Sequence, residues 1–329
     1  MTRVGLWILV AAGLVGPAMA QGGDAAPASA PAASPAEPVG SYADADALLS
    51  ALETADGGLE SLRADIRYDR TFDLEGDNQV RVGRMWFDAG VRNGKQAGPR
   101  RFAVRFDTLI VGRTQRNETR VHVFDGRWYA DKVPGERRMS RREVVAPGET
   151  FDPLKVGEGP LPIPIGQKKA DILKRYEAEL LPATESVDDK TLAEFVSGTV
   201  QLKLTPRAEF KGSEDFREIR IWYRGKSPTE MTAEDKPGSR LLPRMARTMN
   251  RSGDVSIVQL INVEINAEAP LDESVMSAEP EAGWTVVETG LRSAPATPIK
   301  PSETGGGSGT PPASEEPKEP ASGPSETPK

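Results

Sequence analysis

The chain has 329 residues, with 42 Lys and Arg against 49 Asp and Glu, one His and no Cys. The missing Cys excludes a disulfide scaffold, a thiolate metal site, a Cys nucleophile and a lipidated N-terminal Cys, and a single His excludes a His-rich metal centre. A net charge of −7, with acidic and basic residues interleaved, leaves no electrostatic footprint for nucleic acid. Half of the 28 prolines fall in residues 1–40 and 291–329. The stretch able to build a core is therefore 41–290, about 250 residues, an ordinary size for one all-β domain.

Residues 1–20 read as an export signal. Arg3 is the positive end, residues 4–15 are the apolar run, and Ala18-Met19-Ala20 places small residues where a signal peptidase reads them, so a mature chain starting at Gln21 is expected. The apolar run is shorter than the ~20 residues a membrane-spanning helix needs. Residues 21–40 are rich in Pro and Ala and read as a disordered linker, and residues 291–329 (Pro, Ser, Glu, Gly, Thr) read as a disordered tail.

Ser41 can cap a helix whose Leu48, Leu49, Leu52 and Ala55 make one apolar stripe, stopped by Gly57-Gly58. From Leu62 the period changes to two. Leu62, Ala64, Ile66 and Tyr68 alternate with charged residues as on a half-buried strand, residues 74–78 turn, and 80–87 return. Phe102, Val104 and Phe106 repeat the pattern, and Asp125-Gly126 joins 121–124 to Trp128-Tyr129 as a hairpin. Val200, Leu202 and Leu204, then Ile219, Ile221 and Tyr223, continue it. Residues 254–264 predict a long strand with Ile257, Ile261, Val263 and Ile265 on one side, and 284–287 a last strand. One large curved antiparallel sheet and two packed sheets both fit this series. A curved sheet must cover its concave apolar face or hold a ligand in it. The helix carrying Leu48, Leu49 and Leu52 is one candidate cover; a second, 167–176, carries Ile172, Leu173 and Tyr176. Between them, Pro160, Pro162 and Pro164 impose an extended segment whose Leu161, Ile163 and Ile165 are suited to pack over an apolar surface.

These pieces, in this order, resemble the periplasmic outer-membrane lipoprotein carriers, the LolA-like family. Leu59-Glu-Ser-Leu62-Arg-Ala-Asp-Ile66 is similar to the end of the family's first helix and its first strand. Gly83-Arg-Met-Trp86-Phe87 and Pro99-Arg-Arg-Phe102 resemble the next two strands, and residues 123–129 resemble a family hairpin. Leu202-Lys-Leu204-Thr205-Pro206-Arg207 and Ile261-Asn262-Val263-Glu264-Ile265-Asn266 complete the match across 41–290. The resemblance implies a mainly β (α+β) fold: a single open, strongly curved antiparallel sheet, an incomplete β-barrel covered by short helices. It implies a soluble periplasmic chaperone, without cofactor or catalysis, that shields acyl chains of lipoproteins or lipids during transfer towards the outer membrane. Implied partners are acylated lipoproteins or lipids, an inner-membrane lipoprotein-releasing complex and an outer-membrane acceptor. The alternative on the same fold is an envelope module that senses lipid or lipoprotein.

In the family's register Met85, Phe87, Phe102, Val104 and Phe106 would line the acyl cavity. The same alternation specifies a solid core equally well. An Arg-Pro pair that the family often carries after the strand ending at Phe87 has no direct counterpart; residues 88–98 intervene before Pro99, leaving Arg92 and Arg100 nearest to the role. The Pro-rich 160–164 stretch stands in the place of a family lid helix, and 226–238 is an insertion. His122 shares a face with Phe124 and reads as a structural or surface histidine rather than a catalytic one. Asp73, Glu75 and Asp77 read as a turn, short of a calcium loop's ligand set. Arg137, Arg138, Arg141 and Arg142 read as solvated strand-edge charges, the alternative being contact with anionic lipid headgroups or an acidic patch on a membrane partner. The motifs G-x-S-x-G, Walker A and H-E-x-x-H do not occur.

Overall fold

The computed structural model describes residues 42–53, 55, 58–74, 76–146, 149, 168–224, 241–268 and 271–290. Leu161, Ile163 and Ile165, together with the 226–238 insertion, lie outside them. Helix α1 (Ala45–Leu52) opens on Asp44, whose carboxylate accepts from the Ala47 amide at 2.8 Å. Asp44 rather than Ser41 is the cap, because it is the residue still extended immediately before the first helical turn.

Strands β1 (Ser61–Thr71) and β2 (Asn78–Asp88) follow, then a short pair β3 (Val91–Arg92) and β4 (Lys95–Gln96). Next come β5 (Arg101–Val111), β6 (Thr114–Phe124), β7 (Trp128–Val133) and β8 (Arg138–Glu143). Helix α2 (Lys169–Arg175) runs into β9 (Tyr176–Leu181), so Tyr176, read from the sequence as helical, begins a strand. Helix α3 (Lys190–Val196) precedes β10 (Val200–Pro206), β11 (Phe216–Arg224), β12 (Leu242–Asn250), β13 (Val255–Ile265) and β14 (Thr285–Thr289).

Twelve of these strands form one sheet in the order β14-β8-β7-β6-β5-β2-β1-β13-β12-β11-β10-β9. It is strongly curved, and its edges β14 and β9 do not pair, so it stays unclosed. All neighbours run antiparallel except β14, which lies parallel to β8. Bulges bend it. On β2 a register shift falls at Gly83, where a Cβ would stand 1.8 Å from the Arg105 carbonyl oxygen, an approach only glycine allows.

A bulge on β13 corrects the face expected for that strand. Arg63 pairs with Glu264 but Asp65 with Ile261, and Asn262 takes a left-handed φ of 51°. The extra residue flips the parity. Val258 and Leu260 before the bulge, and Val263 and Ile265 after it, share the inner core, whereas Ile257 packs on the outer face and Ile261 is 36% exposed.

The outer face is covered at both flanks. Over β11 and β12, residues of 183–196 including α3 pack Val187, Leu192, Phe195 and Val196 onto Trp222 and Met245. Buried Gln201 anchors this cover by donating to the Pro182, Ala183 and Glu185 carbonyls. Over β5–β8, Met276, Ala278 and Trp284 pack on Ala103, Val123, Ala130 and Met139. Asp88, 2% exposed, ties this second cover down, since it binds Arg101 at 2.7 Å and Arg101 also holds Glu273 at 2.7 Å. Arg92 and Arg101 outweigh the burial penalty on Asp88 and hold its carboxyl below the usual carboxylate range.

Candidate functional site

The inner face divides into two apolar clusters. In one, Leu48, Leu49 and Leu52 of α1, Ile172 of α2 and Tyr176 at the start of β9 close over Leu202, Leu204, Ile219, Ile221 and Tyr223, with Leu173 half-buried against them. Hydrogen bonds and ion pairs lock this cover. Lys169 pairs with Asp46 at 2.6 Å, and its amide donates to Glu53 at 3.0 Å. Buried Glu214 accepts from the Tyr176 hydroxyl at 2.7 Å and from Arg175 at 2.8 Å. The six residues read as a helical lid are therefore brought together.

The other cluster gathers Met85, Phe87, Phe102, Val104 and Phe106 with Leu62, Ile66, Tyr68 and Phe124. The register explains the shared face: Leu62 pairs with Phe87, Phe87 with Phe102 and Phe102 with Phe124, while Ala64, Met85 and Val104 form the next rung. Each of the five sequence-named residues is fully buried. Among the described residues no helical side chain belongs to this cluster or packs against it. The sequence-named lid and the sequence-named lining thus occupy different halves of the sheet.

The aromatic half also holds polar groups, of which sequence reasoning had singled out only His122. Phe106 and Val104 pair across to Arg120 and His122, and His122 pairs on to Asp131, so these side chains share the inner face. His122 Nδ1 lies 2.9 Å from the Tyr129 hydroxyl, and its ring stands edge-on to Phe106 and stacks on Tyr129. Burial drives its pKa down to about 4, so His122 is neutral at pH 7 and its 3.7 Å approach to Asp131 is not an ion pair there. Asp131 is held below the usual range by Arg120, which outweighs burial, and Tyr129 is pushed up by burial. The one signal available beforehand was parity. Arg81, Arg120 and His122 fall on the apolar phase of their strands.

Elsewhere, Arg141 binds Glu279 and Glu288, and Arg138 binds Glu136. Arg92 is taken by Asp88, four residues back. A polar notch of about 430 Å³ on the outer face, lined in part by Asp65, Arg84, Trp86 and Glu264, carries both signs of charge. No group of three or more His, Asp or Glu placed to hold a metal, and no helix long and apolar enough to cross a membrane, occurs among the described residues.

No family model and no curated protein matches the chain. Solved structures do. A LolA superfamily protein from Nitrosomonas europaea is 12% identical, with 71% of this chain and 97% of that one covered at a TM-score of 0.31. An outer membrane lipoprotein-sorting protein domain from Vibrio parahaemolyticus is 10% identical over 70% and 94% of the two chains, TM-score 0.30. The Pseudomonas aeruginosa MucA/MucB complex is 16% identical over 74% and 63%, TM-score 0.33.

Proposed function

We propose that the chain is an envelope carrier, a periplasmic chaperone that shields the acyl chains of lipoproteins or lipids on their way towards the outer membrane. The observation that carries this reading is the aromatic half of the inner face. Met85, Phe87, Phe102, Val104 and Phe106 form a continuous buried apolar surface over which no described helix lies. Such a surface needs area and no catalyst, because each CH₂ moved from water into an apolar site contributes about 0.8 kcal/mol. Release then requires either a cover that opens or a receiving site with higher affinity. The cargo would reach the chain from an inner-membrane releasing complex and leave it at an outer-membrane acceptor.

The test is native mass spectrometry of the purified chain, followed by displacement of a hydrophobic dye with acylated and non-acylated forms of one peptide. Copurifying lipid and displacement by the acylated form alone are expected. Equal displacement by both forms would exclude the carrier role.

A further inference from the structure

One rung of the inner face crosses the aromatic half from a cation to a leucine. Arg142 of β8 stands opposite Tyr129, Tyr129 opposite Phe124, Phe124 opposite Phe102, Phe102 opposite Phe87, and Phe87 opposite Leu62. With neighbouring strands ~4.8 Å apart, the rung runs about 24 Å across the sheet. Its body is aromatic and apolar, and only its β8 end is charged.

That charge is not spent within the chain. Of the basic run 137–142, Arg138 is taken by Glu136, and Arg141 by Glu279 and Glu288. Arg142 is half-buried, and no carboxylate among the described residues pairs with it. Its guanidinium sits 5.2 Å over the Tyr129 ring, and its Nε is buried without a hydrogen-bond partner. Tyr129 is itself held, by stacking on His122 and by the 2.9 Å contact of its hydroxyl with His122 Nδ1. A ring face positions a guanidinium without neutralising it. The carboxylates of the neighbouring inner positions are engaged elsewhere. Arg120 binds Asp131, and Arg81 and Arg116 share Glu118. Arg81, Arg120 and Arg142 thus face only Glu118 and Asp131, and this part of the sheet is positive in balance.

Resting on the carrier reading, we infer that Arg142, held on Tyr129, is the subsite for the anionic group of an acyl cargo, a carboxylate or a lipid phosphate. The hydrocarbon lies along the rung towards Phe102 and Phe87. The charged end gains charge-assisted hydrogen bonds from the guanidinium. The reverse orientation would bury that charge among phenylalanines with no countercharge. Arg142 therefore sets the direction of the cargo as well as its class.

The experiment measures displacement of a hydrophobic dye from the purified chain at low ionic strength, in matched pairs. A fatty-acid carboxylate is compared with the alcohol of the same chain length, and a lysophosphatidate with the monoacylglycerol of the same chain. The anion of each pair is expected to bind about tenfold tighter than its neutral partner, and the larger ratio identifies the headgroup. Arg142→Gln is expected to bring both ratios close to one, and Arg142→Lys, which keeps the charge, to retain most of them. Arg84→Gln, which removes an exposed charge from the outer face, should leave them unchanged. Equal binding of anion and neutral partner in both pairs overturns the subsite and leaves the carrier reading standing. Ratios that survive Arg142→Gln overturn the assignment to Arg142. Inorganic phosphate displacing the dye as well as the lysophosphatidate does would mark a site for free anions and overturn the acyl-anion assignment. Failure of every lipid to bind overturns the subsite and the carrier reading together. The ratios in the unaltered chain still decide for or against an anion if a variant fails to fold.

Discussion

Under α1 and α2 the sheet face is mostly aliphatic, and its cover is tied down by Lys169–Asp46 and by the Glu214 cluster. Across β1, β2, β5 and β6 the same sheet presents Phe87, Phe102, Phe106 and Phe124 beside Arg81, Arg120 and His122, with no helical cover among the described residues. Both halves are equally dry. They differ in what covers them and in how particular buried polar groups are paired. In the helix-capped half, buried Glu214 and the Tyr176 hydroxyl are matched to each other within the chain. The aromatic half leaves Arg81 and His122 partly unmatched.

This contrast can be broken experimentally. The largest expected effect is in the capped half, where Leu49→Ala should lower the unfolding free energy by about 2–5 kcal/mol in urea titration while leaving acyl affinity unchanged. A parallel loss of affinity would show that the two halves act as one site. Next is pH. Because the His122 pKa in the fold is about 4 against an ordinary 6.5, the unfolded chain takes up its proton first as the pH falls. The stability associated with a neutral His122 is complete above pH 6.5 and is lost between 6.5 and about 4, a total loss of about 3 kcal/mol. Asp88 and Asp131 have depressed pKa values, so their contribution is present above the ordinary 3.8 and is lost only as the pH falls through their folded values. His122→Gln should therefore flatten the upper window and spare the lower one. An unchanged upper slope in thermal melts would place the titrating group elsewhere.

Smaller effects sharpen the comparison. Asp44→Ala removes the α1 cap and should cost about 1 kcal/mol of stability, again without change in acyl affinity. In the aromatic half, each added methylene of an acyl ligand should strengthen binding about fourfold until the face is filled, the equivalent of about 0.8 kcal/mol. Phe102→Ala should shorten the chain length at which that gain saturates. A saturation length unaffected by Phe102→Ala would remove this face as the acyl site.

Much of the scaffold was legible beforehand. Strands β1 and β5 announce themselves by alternation, and their buried positions Leu62, Ala64, Ile66 and Tyr68, and Phe102, Val104 and Phe106, are the ones period two predicts. The Asp125-Gly126 hairpin is local chemistry, the Asp125 carboxylate accepting from the Arg127 and Trp128 amides. Strand β13 was misread because its bulge at Asn262 answers to the pairing with β1, which no local pattern records. Gln201 reads as a solvated strand residue and is fully buried, because a cover from 182–196 arrives on the outer face.

The sequence alone therefore determined the strongly alternating strands, such as β1 and β5, and the first helix, since period and capping are short-range properties, while α3, β8, β9 and β12 were not read from it. Only the tertiary structure decided which faces meet. It set the lid candidates over β9–β12 rather than over Met85, Phe87, Phe102, Val104 and Phe106, and it turned Arg81, Arg120 and His122 inward. The reason is that register and layer contacts join residues tens to hundreds of positions apart, and an arginine's environment is set by what packs on it rather than by its neighbours in the chain.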